Sequence, residues 1–277
     1  MPDTQSMSSG DKTEVKQLQP EYRSRCTDLV HTLLEKMDQH QTRATFFVTG
    51  KTHKYFPELV KAINEAGHEI GFHAFSHIRL DSLEILEEEF SLSREFLDEY
   101  SPVGFRAPWI NLKKDMLPLL KRNGFIYDSS TIAPPGRIYN CEGMQVFPIS
   151  CLFYFQKEMD EPLYPHQPKI AKIYRELPLG IGMMVSILRG FYNRILHHYS
   201  RQNTSIIFYL HLQQLQWLDE KLSLRDGIRY IHNFSLWPLI ERLLSQHRIR
   251  RLDELVGGSA TDKSMGTPHY LTFDMEF

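Results

Sequence analysis

The sequence predicts an α/β protein built on a parallel sheet or a barrel. Apolar runs of strand length alternate with stretches of helical periodicity along most of the chain. Five strand ends each carry a residue type used in catalysis, the placement that α/β barrels give to active sites. With 277 residues, 42% of them hydrophobic, the chain is long and apolar enough for a sizeable core.

Taken in order, residues 1–20 read as a polar arm. Leu29, Val30, Leu33, Leu34 and Met37 recur at helical spacing within Glu21 to Gln39. Ala44 to Val48 reads as a buried strand, and Phe56 to Ala66 as a helix closed by Gly67 at its C′ position. His68 to His73 follows as strand and loop. Leu80 to Tyr100 predicts one long helix whose Glu87-Glu88-Glu89 run faces solvent. Val103 to Arg106 predicts a short strand, Asn111 to Arg122 a helix ending at Gly124, Phe125 to Tyr127 a strand, and Met144 to Ile149 another. Residues 150–200 are less regular and rich in proline, with an apolar segment at Ile181 to Leu196. Ser205 to Leu210 reads as a strongly apolar strand, Phe234 to Gln246 as a helix, and Arg248 to Arg251 as the start of a strand. Gly257 to Ala260 has linker composition, and Tyr270 to Phe277 reads as a buried strand bearing two carboxylates.

Composition narrows the function. The 32 basic and 34 acidic residues nearly cancel, so no electrostatic footprint for nucleic acid appears. Three cysteines, Cys26, Cys141 and Cys151, make no disulfide framework and suit a reducing compartment. The polar first 18 residues contain no signal-peptide core. The longest apolar stretch falls short of the ~20 residues of a membrane span. These features lead to the expectation of a cytoplasmic protein. The unusual count is histidine, 13 residues, which brings metal-ligand and proton-transfer chemistry into view.

His73 and His77, four apart, can face one metal from a helical turn or a tight loop; ordinary polar histidines are the competing reading. His68-Glu69 does not open a zincin motif, because position 72 is Phe72. Asp274 and Glu276, two apart on a strand, share a face and suit one general base and one metal ligand. Arg106 sits at a strand end where it can orient a carboxylate, with Trp109 just beyond. Asp128 and His211 end two further strands; a turn cap and a satisfied core histidine are their simpler readings.

In cyclic order these segments resemble the NodB-type polysaccharide deacetylases, carbohydrate esterase family 4. Thr272-Phe-Asp-Met-Glu276 resembles the first motif of that family and Ala44 to Gly50 its second strand. Gly67 to His77 is similar to its G-H-E-I-G lead and its H-[ST]-x-x-H metal motif. Arg106-Ala-Pro-Trp109, the Asp128 segment Tyr127-Asp-Ser-Ser130, and Leu210-His211 resemble the later motifs. The likeness covers roughly residues 21–256 and 268–277, and implies a single distorted (β/α) barrel domain. The order differs: the family's first motif stands last here. A circular permutation accounts for this, with 257–267 as linker and former N-terminus and 268–277 as the displaced first strand.

Carried over residue by residue, the resemblance implies that His73, His77 and Glu276 bind a divalent metal, zinc before cobalt, nickel, iron or manganese. Asp274 is then the general base, Arg106 its orienting partner, His211 the general acid and Asp128 a support. Trp109, Tyr127 and Leu210 are assigned to substrate contact. The implied reaction removes N-acetyl groups from an N-acetylated glycan or lipid-linked sugar. An inactive carbohydrate-binding barrel and an amidase acting on a non-sugar are the alternatives. Residues 177–199 read as a helix packed on the barrel, or else as an apolar surface meeting a membrane or lipid-linked sugar.

Overall fold

The computed structural model describes residues 19–153, 162, 164, 176–178, 182–215, 236–258 and 267–277. Most of the polar arm, linker residues 259–266, and the side chains of residues 176–190 lie outside what is described.

Pro20 occupies the first turn of helix α1 (Pro20–Gln39), where its missing N–H is no loss. The helical spacing read from the sequence buries Leu29, Val30, Leu33 and Met37 against the sheet. Strand β1 (Thr45–Val48) leads into two short helices, α2 (Gly50–Tyr55) and α3 (Pro57–Glu65). The expected single helix therefore starts earlier and breaks at Phe56. Gly67 closes α3 with φ +80°, the left-handed conformation glycine adopts without a Cβ penalty. Strand β2 (Glu69–Phe72) follows.

The expected long helix is two, α4 (Leu83–Leu92) and α5 (Arg94–Tyr100), parted at Ser93. Its acidic run is not all solvated: Glu89 is buried, with its carboxylate on backbone N–H groups. Next come β3 (Gly104–Phe105), α6 (Leu117–Arg122), β4 (Tyr127–Asp128), β5 (Ile132–Ala133), β6 (Tyr139–Cys141), β7 (Met144–Val146), β8 (Ile149–Phe153) and β9 (Glu176–Pro178). Helix α6 begins six residues later than expected. Strands β5, β6 and β9 carry too little periodicity to be seen in sequence, and the expected 144–149 strand divides between β7 and β8. The last elements are α7 (Gly182–Arg201), β10 (Ile207–His211), α8 (Trp237–Gln246), β11 (Ile249–Arg250) and β12 (His269–Met275). Tyr192 and Leu196 of α7 are buried in the core, as a helix packed on the sheet requires, while Phe191 is exposed.

Among the described residues the main sheet runs β10-β12-β1-β2-β3-β4-β7-β6, with β11 also on β12, and β5-β8-β9 form a smaller sheet. All main-sheet pairs are parallel except β6–β7. The last strand in sequence lies inside this curled half-barrel, second from one end, between β10 and β1. Thr272 of β12 is in register with Thr45 of β1, and Asp274 with His211 of β10.

Both faces of the sheet are filled. On the outer face, Phe46 stacks on Phe273 with ring centroids 4.9 Å apart, beneath the helices. Inside, Phe47, Tyr127, Phe147, Ile207, Leu252, Leu255 and Tyr270 plug the barrel. Gly104 makes room for this plug: a Cβ there would stand 2.2 Å from the Tyr127 ring. The three cysteines are buried, and none is in a disulfide. Among the described residues no helix is long and apolar enough to cross a membrane.

Candidate active site

Parallel strands present all their C-terminal ends on one rim, and the polar residues gather there. His73 directly follows β2. Its Nδ1 lies 2.7 Å from the backbone oxygen of Arg106. A carbonyl only accepts, so Nδ1 carries the proton and Nε2 keeps its lone pair. Nε2 is buried without a hydrogen-bond partner and stands 4.0 Å from Asp274 Oδ2. Burial pushes the His73 pKa down to about 4, so the ring is neutral at ordinary pH.

The loop after His73 is a tight one rather than a helical turn. Ala74 (φ +61°) and His77 (φ +55°) are both left-handed, and the rings of His73 and His77 come within 5.0 Å. Glu276, one residue past the end of β12, reaches two histidines. Oε2 is 2.5 Å from His77 Nε2, and Oε1 is 2.8 Å from His211 Nδ1. Burial would raise the Glu276 pKa, but the bonds from His211 and His77 outweigh it and hold the carboxyl well below its usual range. For His211, burial disfavours the charged ring; the Glu276 bond and the Asp274 charge prevail and raise its pKa.

One ligand atom each from His73, His77 and Glu276 lie within 4.8 Å of one another. Two imidazole nitrogens and a carboxylate oxygen suit zinc and similar first-row ions. The orphaned lone pair of His73 Nε2 is the feature such an ion would satisfy. The donor set therefore fits a divalent metal.

Beside it, Arg106 is completely buried yet fully engaged. Nη1 donates to Asp274 Oδ1 at 2.9 Å and to Thr272 Oγ1 at 2.7 Å; Nε and Nη2 donate to the backbone oxygen and Oγ of Ser129. The guanidinium also stacks on Phe47 and faces Tyr209, 4.2 and 5.3 Å from the ring centroids. A buried charge held this way fixes the carboxylate of Asp274 in place. Asp128 lies behind. It accepts from the backbone N–H and hydroxyl of Ser130 and, at 2.5 Å, from Tyr164. Burial pushes its carboxyl up to about 6. Ser130 Oγ in turn accepts Ala107 N–H at 2.7 Å, which ties Asp128 to the Arg106 segment.

Trp109 is 65% exposed at the rim, its ring 5.7 Å from that of His77, and its φ of +60° turns it outward. Two expected substrate-contact residues are corrected. Leu210 is completely buried in the outer core, because strand alternation gives the inner face to its neighbours Tyr209 and His211. Tyr127 belongs to the interior plug, and its hydroxyl donates to Glu69 at 2.7 Å. Other contributors carry weak sequence signals. Ser129 and Ser130 adjoin Asp128 in its segment, Glu89 hides in an acidic run, and Tyr164 comes from an irregular stretch.

Residues 21–127 match the family model described as Polysaccharide deacetylase. A peptidoglycan deacetylase-like protein, FGM2, of Gibberella zeae is 32% identical over 117 residues, 40% of this chain and 34% of that one. A peptidoglycan-N-acetylglucosamine deacetylase of Bacillus cereus is 33% identical over 101 residues, 34% of this chain and 36% of that one. The chain thus spans about a third of the length of these curated relatives. A solved structure assigned as a polysaccharide deacetylase of Mycobacterium smegmatis aligns with TM-score 0.40 and 28% identity, covering 49% of this chain and 53% of that one.

Proposed function

We propose, for a chain whose residues 21–127 match the Polysaccharide deacetylase family model, that it is a metal-dependent hydrolase removing N-acetyl groups from a sugar polymer. The observation that carries this reading is the convergence of His73, His77 and Glu276 beside the Arg106–Asp274 pair. The family is generally dependent on a divalent metal. His73, His77 and Glu276 would hold it, zinc being the first candidate. When bound, such an ion supplies carbonyl polarisation and an acidified water.

The chain's own groups do the rest. Asp274, oriented by Arg106, takes the proton of the attacking water at its free oxygen Oδ2. His211, with its pKa raised, delivers a proton to the leaving nitrogen, so that acetate and a free amine result. Glu276 orients His211 through Nδ1, leaving Nε2 as the atom that gives the proton. Trp109, flat and exposed, offers a stacking surface for a sugar ring. Asp128 and Ser130 hold the backbone that carries Arg106 and Trp109.

The relatives named above point to peptidoglycan as the first polymer to test, with N-acetylated chito-oligosaccharide as the simple substrate. Acetate release by metal-loaded protein, abolished by chelator and restored by zinc, supports the reading. Metal binding without acetate release from either substrate overturns it in favour of an inactive barrel or an amidase with another substrate. The placement of β12, parallel between β1 and β10, supports reading the chain as a permuted form of the family order.

A further inference from the structure

The two segments that bring the metal-ligating groups, the loop from His73 to His77 and the end of β12, share one anchor. Gly50 N–H donates to Ala74 O at 2.9 Å, and Lys51 N–H to Phe75 O at 3.0 Å. One residue on, the buried Thr52 hydroxyl donates to Met275 O at 3.1 Å and accepts Phe277 N–H at 3.1 Å. A single hydroxyl thus ties down the backbone on both sides of Glu276. Phe277 adds an edge contact on Phe56.

The loop is gripped from its other side by Glu89 of α4. One carboxylate oxygen accepts both Phe75 N–H and Ser76 N–H, each at 2.7 Å, and the side chain is buried. Phe75 is therefore held by its carbonyl from α2 and by its N–H from α4. This grip lies between the left-handed Ala74 and His77. Such non-glycine conformations are strained and persist only where the surroundings enforce them. Nothing in the local sequence favours them at Ala74. The bonds to Glu89 and α2 are what hold the loop in this shape, and the shape is what turns His77 towards Glu276.

We propose that Glu89 and Thr52 are positioning residues of the metal site, setting its affinity and geometry through the backbone without touching the ion. This rests on the metal-dependent reading above. Removal of groups that orient ligands typically weakens metal binding about 10–100-fold.

The test is cobalt(II) binding to the full chain, freed of metal. Affinity is measured by competition titration, geometry by the visible absorption band, and folding by the thermal midpoint of the metal-free protein. Glu89→Leu and Thr52→Val should each weaken cobalt binding by about 10–100-fold and alter the band. Glu89→Gln, whose amide oxygen can accept both N–H groups, and Thr52→Ser should recover most of the affinity. A merely structural role would lower the thermal midpoint while leaving the affinity and band of the folded protein unchanged. If both Glu89→Leu and Thr52→Val bind as tightly as the wild type, with the same band, the inference is overturned. It is overturned equally if the conservative variants bind no better than the disruptive ones. Should Glu89→Leu fail to fold, Thr52→Val and Thr52→Ser decide. Absence of cobalt binding in the wild type would instead overturn the metal-dependent reading itself.

Discussion

The two ends of the sheet each bury carboxylates, and they treat them in opposite ways. At the N-terminal ends of the strands, Glu69 accepts from the Tyr127 hydroxyl at 2.7 Å, the Thr45 hydroxyl at 2.5 Å and Asp253 N–H at 3.0 Å. Burial pushes its carboxyl up, and the neighbouring Asp253 pushes the same way. At the C-terminal ends, Asp274 and Glu276 are held by a guanidinium and two imidazoles, next to a buried imidazole nitrogen that nothing satisfies. A satisfied polar network specifies the fold. A buried imidazole nitrogen left without a partner, beside a second imidazole and two carboxylates, marks the place where a ligand belongs. In α/β barrels the first kind of cluster is expected at the bottom and the second at the top.

Substitutions sharpen this contrast, the largest effect first. Asp274→Asn should lower the rate of acetate release by about 10²–10⁴-fold, the usual worth of a general base, while metal still binds; retained turnover would remove Asp274 from the role. Arg106→Met leaves the Asp274 carboxylate buried without its cation. It should cost about 3–5 kcal/mol of stability by urea denaturation, and a loss below 1 kcal/mol would mean that the pair is not buried as described.

Asp128 gives a pH signature. Its pKa is raised by burial to about 6 in the folded protein, against about 3.9 unfolded. The folded state therefore holds the extra proton between these values. That stabilisation is complete below the unfolded pKa and is lost as pH rises through about 6, of order 2–3 kcal/mol. Subtracting the stability–pH curve of Asp128→Asn from that of the wild type should isolate this slope; parallel curves would contradict it.

The smallest change is at the other end. Tyr127→Phe leaves one Glu69 oxygen without its donor and should cost about 1–2 kcal/mol, with kcat and KM unchanged. An altered KM would return Tyr127 to the substrate site and break the division between the two ends.

How much of this was legible in the residues differs by element. Helix α1 and strands β1, β10 and β12 were readable because each buries a regular pattern of apolar side chains against the sheet. The split of α4 from α5, and the short strands β5, β6 and β9, were not. The helix breaks where the Ser93 backbone leaves the helical region, β6 exists by its tight hairpin with β7, and β5 and β9 exist only by pairing with β8. For the site, His73, His77, Arg106, Asp274, Glu276 and His211 stand at strand ends with recognisable chemistry. Glu89 offers no such sign: in an acidic run on a helix, only the arrival of the Phe75–Ser76 backbone distinguishes it from its solvated neighbours.

The sequence by itself determined that the chain alternates strands and helices, and which polar side chains end those strands. Periodicity and residue chemistry are local properties. Tertiary structure decided that the last strand would sit beside the first one described, and so that a carboxylate near residue 276 would meet histidines at 73, 77 and 211. It also decided that Tyr127 would turn down into the plug and not up to the rim. Those outcomes depend on strand order and register, which long-range pairing fixes and no stretch of sequence contains.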